Sequence, residues 1–259
     1  GAGFPTALKL GFDPKEKQPD FLIINGAECE PYITSDYRCF MEEGEDVLEG
    51  VLLILKYLGI PKCVIGIEKN KPKAIEKMTK LCEKYDNITV KALKSSYPQG
   101  AEKTLIFSTT GRIVKEGTLP LTSGCIVVNS STAAFIAQYI KTGMPLVKRR
   151  ITVDGNIVKK PSNFIVPVGM SIGEIVYYAE LSDKPDRIIL GGPMMGACAF
   201  DPDYPLSKTN NAVLMFADSP VYEPSACIRC GKCVRACSMN LLPTELEHAF
   251  DMKDADRLE

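Results

Sequence analysis

Apolar residues fall first in short runs and then at helical spacing. Phe21-Leu22-Ile23-Ile24-Asn25 is a run that ends in a polar loop, Gly26 to Tyr32, and reads as a buried strand. Between Glu45 and Leu58, Val47, Leu48, Val51, Leu52, Ile54, Leu55 and Leu58 recur as on a helix, and Gly59 and Pro61 stop the pattern. Cys63 to Ile67 predicts the next strand. Pro72 to Tyr85 predicts the next helix, with Ile75, Met78, Leu81, Cys82 and Tyr85 on one side, and Ile88 to Leu93 a further strand. Strands and helices alternating at these spacings predict an α/β fold, a mostly parallel sheet with helices packed on it.

After a mixed stretch, Cys125 to Asn129 reads as a strand and Ser130 to Lys141 as a helix closed by Gly143 and Pro145. The pattern then changes. Lys148 to Val153 alternates as a strand, Asp154-Gly155-Asn156 signals a tight hairpin, and Ile157-Val158 leads a returning strand. Phe164 to Val168 is a third strand, and Ser171 caps a short helix to Leu181. These elements suit a small α+β module of about forty residues. Arg187 to Leu190 is a strand running into Gly191–Gly196, 202–211 is loop-like, and Ala212 to Phe216 is a further strand.

Charge and composition narrow the class. The formal net charge of −1 over 259 residues gives no polyanion-binding surface and argues against a nucleic-acid partner. The strongest apolar stretch, Val51 to Leu55, is broken by Lys56, and no run approaches the roughly 20 residues that span a bilayer. The chain starts at Gly1 without methionine, and is expected to be a piece of a longer protein, cut at both ends. Of 10 cysteines, four crowd together while Cys29, Cys39, Cys63, Cys82, Cys125 and Cys198 are scattered. That usage suits a reducing, cytoplasmic compartment and a metal site better than a disulfide scaffold.

The crowded four carry the strongest chemistry. Cys227, Cys230, Cys233 and Cys237 have the Cys-x2-Cys-x2-Cys-x3-Cys spacing of bacterial ferredoxins. Three thiolates three residues apart can wrap one 4Fe-4S cubane, while the fourth points toward a neighbouring cluster. Structural zinc usually takes two cysteine pairs from separate loops, and remains the alternative. Ser238 stands where proline usually follows, and no second cysteine motif appears before Glu259, so this chain alone is expected to hold a cluster incompletely.

Two weaker motifs gain meaning beside it. In Gly1-Ala2-Gly3-Phe4-Pro5-Thr6, followed by Lys9, glycines would let backbone amides approach a phosphate that the lysine neutralises, although a bare glycine-rich turn has the same composition. Asn25-Gly26-Ala27-Glu28-Cys29-Glu30-Pro31 follows a strand, where ligand crevices of open α/β sheets lie, and its carboxylates suit sugar hydroxyls or a flavin edge. A solvated acidic loop would look alike. Asn129 would equally serve as an N-cap, and Tyr97 as a turn residue before Pro98. The Lys69–Lys80 charges read as a solvated helix face. His248, the sole histidine, is given no role.

Taken in order, Gly1–Thr6 with Lys9, Asn25–Pro31, Tyr97 to Lys103, Val128 to Ala133, Gly191–Gly196 and the ferredoxin cysteines form a specific set. Together they resemble the RnfC component of the Rnf ion-translocating ferredoxin:NAD oxidoreductases across essentially the whole chain. They are more distantly similar to the NADH-binding flavoprotein of respiratory complex I. The resemblance implies a Rossmann-like FMN- and NADH-binding domain at 1–145, a β-grasp module of the soluble-ligand-binding (SLBB) type at 146–185, a connecting segment at 186–222, and a ferredoxin-like segment at 223–259. It implies FMN, NAD(H) and 4Fe-4S clusters as cofactors, other Rnf subunits as partners, and a peripheral place on the inner face of the cell membrane. By motif, Gly1, Gly3 and Lys9 would lie by the FMN phosphate and ribityl chain. Asn25, Glu28, Tyr97, Gly100, Asn129 and Thr132 would contact the flavin, and Phe4, Glu30 and Glu102 the nicotinamide nucleotide. Ala101-Glu102 stands where the complex I flavoprotein has paired glutamates, and Ala27-Glu28-Cys29-Glu30 where it has Asp-Glu-Gly-Glu. The alternatives sharing these features are a cobalamin reductase of bacterial microcompartments, a non-catalytic electron relay and a zinc-stabilised interaction module.

Overall fold

The computed structural model describes residues 4–12, 18–217, 222–223, 225–237 and 239–258. Gly1 and Gly3 lie outside the described residues. The chain divides into two compact units, Gly1–Ser219 and Pro220–Glu259.

The first unit opens with helix α1 (Thr6–Leu10) and builds a four-stranded parallel sheet from β1 (Phe21–Gly26), β2 (Lys62–Glu68), β3 (Ile88–Leu93) and β4 (Cys125–Asn129), in the order β3-β2-β1-β4. Strand-face alternation splits the apolar residues. Leu22 and Ile24 of β1 join helices α2 (Ser35–Leu58), α3 (Pro72–Cys82) and α5 (Ser130–Thr142) in one core. Ile23 and Val127 face α4 (Glu102–Thr110), where Leu105 and Ile106 are fully buried. Helices thus cover both faces, the arrangement expected from the alternating pattern.

Helix α2 starts at Ser35, not Glu45. Glu43 departs from helical geometry (φ −122°, ψ 24°), and the helix continues across that kink. The kink disrupts the apolar period, which is why only the second half is legible in the sequence. Helix α4 escapes the periodicity because its faces are not segregated: the apolar residues Leu105, Ile106 and Phe107 stand in a row.

A second sheet is made of β5 (Lys148–Asp154), β6 (Ser162–Pro167), β7 (Arg187–Leu190), β8 (Ala197–Ala199) and β9 (Ala212–Phe216). Its order is β6-β5-β9-β7-β8. β5 and β6 pair antiparallel with Val153 opposite Ser162, so the connection is longer than the tight hairpin expected at 154–156. Asn156 instead exchanges hydrogen bonds with Ala217, 2.8 Å to its carbonyl and 3.0 Å from its amide, and Val158 bridges Leu181. Residues 186–222, read as a connecting segment, supply β7, β8 and β9 to this same sheet. Helix α6 (Ile172–Tyr178) carries a full capping box, Ser171 with Glu174, as its sequence start signal indicated.

The second unit holds α7 (Lys232–Ala236) and α8 (Pro243–Asp251). Among the described residues no helix is long and apolar enough to cross a membrane.

Candidate functional site

The strand order places β1 beside β4 while the chain leaves β1 toward β2, so the carboxyl ends of β1 and β4 form the switch-point crevice of an open α/β sheet. Asn25 ends β1. Its Oδ1 accepts the Ala27 amide (3.1 Å) and its Nδ2 donates to the Gly100 carbonyl (2.9 Å), stapling the turn before α4 across the strand end. Lys9 of α1 pairs with Glu102 of α4, donates to the Val127 carbonyl (3.2 Å) and lies 5.3 Å from the Phe4 ring centre. Asn25 and Gly100 thus meet near the carboxyl end of β1, while Phe4, Lys9 and Glu102 stand beside the edge strand β4. Phe4, Leu8, Leu119 and Val127 line a cleft of about 330 Å³ with the Lys9–Glu102 pair at its polar edge.

Glu28 is turned inward. Its carboxylate accepts the Asp36 amide (2.7 Å) and the Tyr37 amide (3.3 Å), satisfying free N–H groups of the first turn of α2. The Lys71 ammonium lies 3.5 Å from Glu28 and 3.2 Å from Glu68, and Glu68 also accepts the Glu28 amide at 3.2 Å. Burial, reinforced by the nearby Asp36 charge and opposed by Lys71, pushes the Glu28 carboxyl up to about 7. Lys71 departs from the solvated-face reading of Lys69–Lys80: its side chain is only 11% exposed and bridges two buried carboxylates.

Glu30 reaches the glycine-rich turn of the second sheet, accepting the Met194 amide at 2.9 Å. Asn129 caps α5, its Oδ1 accepting the Ser131 amide at 3.0 Å. Its Nδ2 donates to Asp36 at 2.9 Å, and Ser131 Oγ donates to the other Asp36 oxygen at 3.0 Å. Glu30, Asp36, Asn129 and Arg149 line a cleft of about 410 Å³ together with Gly191 and Asn211. Thr132 lines an adjoining cleft of about 370 Å³ with Thr6, Phe135, Arg149 and Lys208. Tyr97 is partly exposed before a cis bond to Pro98.

Sequence reasoning missed Asp36 and Arg149. Thr34-Ser35-Asp36 is a helix-start signal that identifies Asp36 once α2 is begun there. Nothing in the alternating run around Arg149 marks it. Clefts of these sizes fall in the range of small-molecule sites, and neighbouring asparagines at the two strand ends suit a polar, ring-bearing ligand such as FMN.

In the second unit, Cys227, Cys230 and Cys233 are exposed and Cys237 is half-buried. Arg229 and Gly231 adopt left-handed conformations (φ 53° and 67°) that curl the loop into α7. The Arg229 amide points at Cys227 Sγ and the Leu241 amide at Cys237 Sγ, both at 3.4 Å. Amide donors to sulfur stabilise thiolate and suit an iron–sulfur cluster. Among the described residues no three Cys, His, Asp or Glu side chains converge as a metal-holding group.

Residues 1–138 match the Nuo51 FMN-binding domain. The chain belongs to the Nuo51 FMN-binding domain family. Residues 219–242 match a 4Fe-4S binding domain. Within the curated proteins, the chain is 42% identical over 249 residues to the C subunit of the proton-translocating ferredoxin:NAD(+) oxidoreductase complex of Clostridium ljungdahlii, covering 95% of this chain and 54% of that protein. It is 40% identical over 249 residues to the C subunit of the Na(+)-translocating ferredoxin:NAD(+) oxidoreductase complex of Acetobacterium woodii, covering 95% of this chain and 56% of that one. The chain thus spans about half the length of these relatives. An NAD+-reducing NiFe-hydrogenase in its H2-reduced state superposes with a TM-score of 0.70 at 21% identity, over 83% of this chain and 43% of the hydrogenase chain. At that identity the likeness shows a shared fold. The resemblance to the Rnf and complex I proteins drawn from the motifs is met by these matches, as is the joint presence of a flavin-binding and an iron–sulfur domain.

Proposed function

We propose that this Nuo51-family chain is part of the electron-transfer subunit of a membrane-associated ferredoxin:NAD oxidoreductase. Electrons pass between NAD(H), FMN and 4Fe-4S clusters, and the whole complex couples this to ion translocation. The reading rests on one observation: a single chain joins a Nuo51 FMN-binding domain, with a polar crevice at its strand ends, to a ferredoxin-spaced cysteine segment. FMN supplies exchange between two-electron hydride carriers and one-electron acceptors.

The chain's own residues bind and orient. Asn25 and Gly100 hold the crevice floor, Asn129 and Thr132 present the first turn of α5, and Tyr97 stands at the rim. Phe4 and Glu102 edge an apolar cleft suited to a nicotinamide nucleotide, Lys9 brings a cation for the FMN phosphate, and Glu28 and Glu30 hold the crevice walls. Gly1 and Gly3 supply backbone amides to a phosphate, and Cys227, Cys230, Cys233 and Cys237 supply iron ligands. Other Rnf subunits are the partners, on the cytoplasmic face of the membrane.

The test is anaerobic reconstitution with FMN, iron and sulfide. Quenching of flavin fluorescence on binding, and bleaching of the bound flavin by NADH, support the reading. A protein that binds zinc and no flavin overturns it.

A further inference from the structure

The net charge of −1 hides an uneven distribution. Residues 62–94, from β2 through α3 to the residue after β3, hold nine lysines against four carboxylates, a net of +5, so the rest of the chain carries −6. Such asymmetry points to an anionic partner for one face. Lys71 stands apart within the segment, turned inward onto Glu28 and Glu68.

The other cations gather on one side. On α3 and the turn after it, Lys73, Lys77, Lys80 and Lys84 follow intervals of four, three and four, which set them on one stripe. Lys77, Lys80 and Lys84 line one open cleft of about 710 Å³ with Glu45, Leu81 and Glu83. Ala74, Met78 and Cys82 form the buried stripe, and Glu76 and Glu83, seven apart, share a third. Lys69 and Lys94 extend the band around the carboxyl ends of β2 and β3, where the Lys69 amide donates to the Leu93 carbonyl at 2.9 Å. Lys77 is tied back to Glu45 (3.4 Å) and the Met41 carbonyl (3.0 Å). Lys69, Lys73, Lys80, Lys84 and Lys94 are exposed, and among the described residues none of them has a carboxylate partner.

Two features fix the kind of partner. All nine cations of the segment are lysine and none is arginine. Lysine offers a compact, hydrated point charge where arginine offers a planar fork for specific pairing, so the face suits diffuse negative charge. Among the described residues between Leu58 and Ser96, no large apolar side chain is exposed. Protein interfaces are anchored by buried aromatic side chains, and single-stranded nucleic acid stacks on exposed rings. A surface of anionic lipid headgroups needs neither, and draws lysines by charge alone. The four-stranded sheet runs β3-β2-β1-β4, so this face stands at the edge away from β4, and a surface docked there leaves the β1–β4 crevice accessible.

We propose that α3 and the adjoining ends of β2 and β3 form a docking face for an anionic lipid bilayer. The inference rests on the membrane-associated function proposed above and names the surface of this chain that meets the headgroups.

The test is co-sedimentation of the full chain with vesicles of phosphatidylcholine alone or mixed with phosphatidylglycerol, at low and high salt. The parent protein is expected to bind the mixed vesicles at low salt, to release them at high salt, and to leave pure phosphatidylcholine unbound. Lys73→Gln, Lys80→Gln and Lys84→Gln combined should weaken that binding roughly 10- to 100-fold, the effect of removing three cations from a charged membrane surface. The equal charge loss of Lys115→Gln, Lys159→Gln and Lys184→Gln combined, at exposed positions elsewhere, should change it by less than about threefold. A parent protein that does not bind the mixed vesicles, binding indifferent to salt or to phosphatidylglycerol, or equal loss in the two folded triple variants overturns the proposal. Flavin fluorescence quenching on the same samples separates the two conclusions. Vesicle binding without flavin binding removes the FMN assignment and leaves the docking face standing, and flavin binding without vesicle binding does the reverse.

Discussion

Glu30 and Met194 are 164 residues apart in sequence, yet the Glu30 carboxylate accepts the Met194 amide at 2.9 Å. The contact ties the loop after β1 to the glycine-rich turn between β7 and β8, so the wall of the candidate crevice is built by both sheets. Position 192 admits only glycine there. A β-carbon would lie 2.1 Å from Glu30 Oε2 and 2.6 Å from Glu30 Cβ.

Gly192→Ala should therefore destabilise the protein by about 1 to 3 kcal/mol, the usual cost of overpacking. Removing the carboxylate will not relieve it, because the Glu30 β-carbon remains in the way. Urea unfolding of Gly192→Ala alone and combined with Glu30→Ala checks this. A double variant as stable as Glu30→Ala alone would show that the close approach is not real.

Glu28 gives the fold a pH dependence of defined sign. Its folded-state carboxyl lies near 7 against 4.5 for the ordinary group, chiefly through burial. The folded protein thus holds this proton more tightly than the unfolded chain. Stability from this group is fully present below pH 4.5 and declines as pH rises toward 7, by up to about 3 kcal/mol. Glu28→Gln keeps an acceptor for the Asp36 amide and removes the charge. Denaturant titrations between pH 5 and 8 should show a flatter profile in that variant, and parallel profiles in the two proteins would refute the assignment.

The legible parts of the molecule were those in which one short segment settles its own structure. The parallel strands announced themselves as Val/Ile-rich runs, and Cys125 to Asn129 was delimited to the residue. Two of the motif contacts join segments far apart in sequence: Asn25 holds the Gly100 carbonyl, and Lys9 pairs with Glu102. What sequence spacing did not reveal is how charge is shared out across the fold. The inward turn of Glu28 depends on Lys71 and the Asp36 amide, and Arg149 shares a cleft with Asp36 and Glu30 from other elements. At the Glu43 kink, too, the contacts come from another element: Arg150 of β5 pairs with Glu42 and Glu43. These are relationships between distant residues, invisible to any local window.

Helix α2 crosses α5 at a point that leaves no room for a side chain. A β-carbon on Gly50 would lie 1.9 Å from the Ala133 carbonyl oxygen, and a backbone atom cannot step aside as a side chain can. At Gly44 the neighbours are flexible ends instead: Lys77 Cε at 3.1 Å, Leu81 Cδ1 and Met78 Sδ at 3.2 Å. Gly50→Ala is expected to cost about 3 kcal/mol or more, and Gly44→Ala less than about 1 kcal/mol. Thermal and urea unfolding of the two variants separate the cases; equal costs would mean that the helices do not cross at Gly50.

The cysteine segment makes a prediction that distinguishes its members. Cys227, Cys230 and Cys233 sit three residues apart on the exposed loop and the start of α7, a spacing that reaches three corners of one cubane. Cys237 lies beyond α7 at its carboxyl end, where the Leu241 amide points at its sulfur, and the ferredoxin spacing assigns it to a neighbouring cluster. After anaerobic reconstitution, alanine at any of the first three should abolish most iron and acid-labile sulfide relative to the parent protein. Cys237→Ala should retain the greater part, since it removes no ligand of that cluster. Iron content and the visible charge-transfer absorbance provide the readout. Equal loss at all four positions would make Cys237 a ligand of the same centre, and zinc in place of iron would remove the electron-carrying role from the segment altogether.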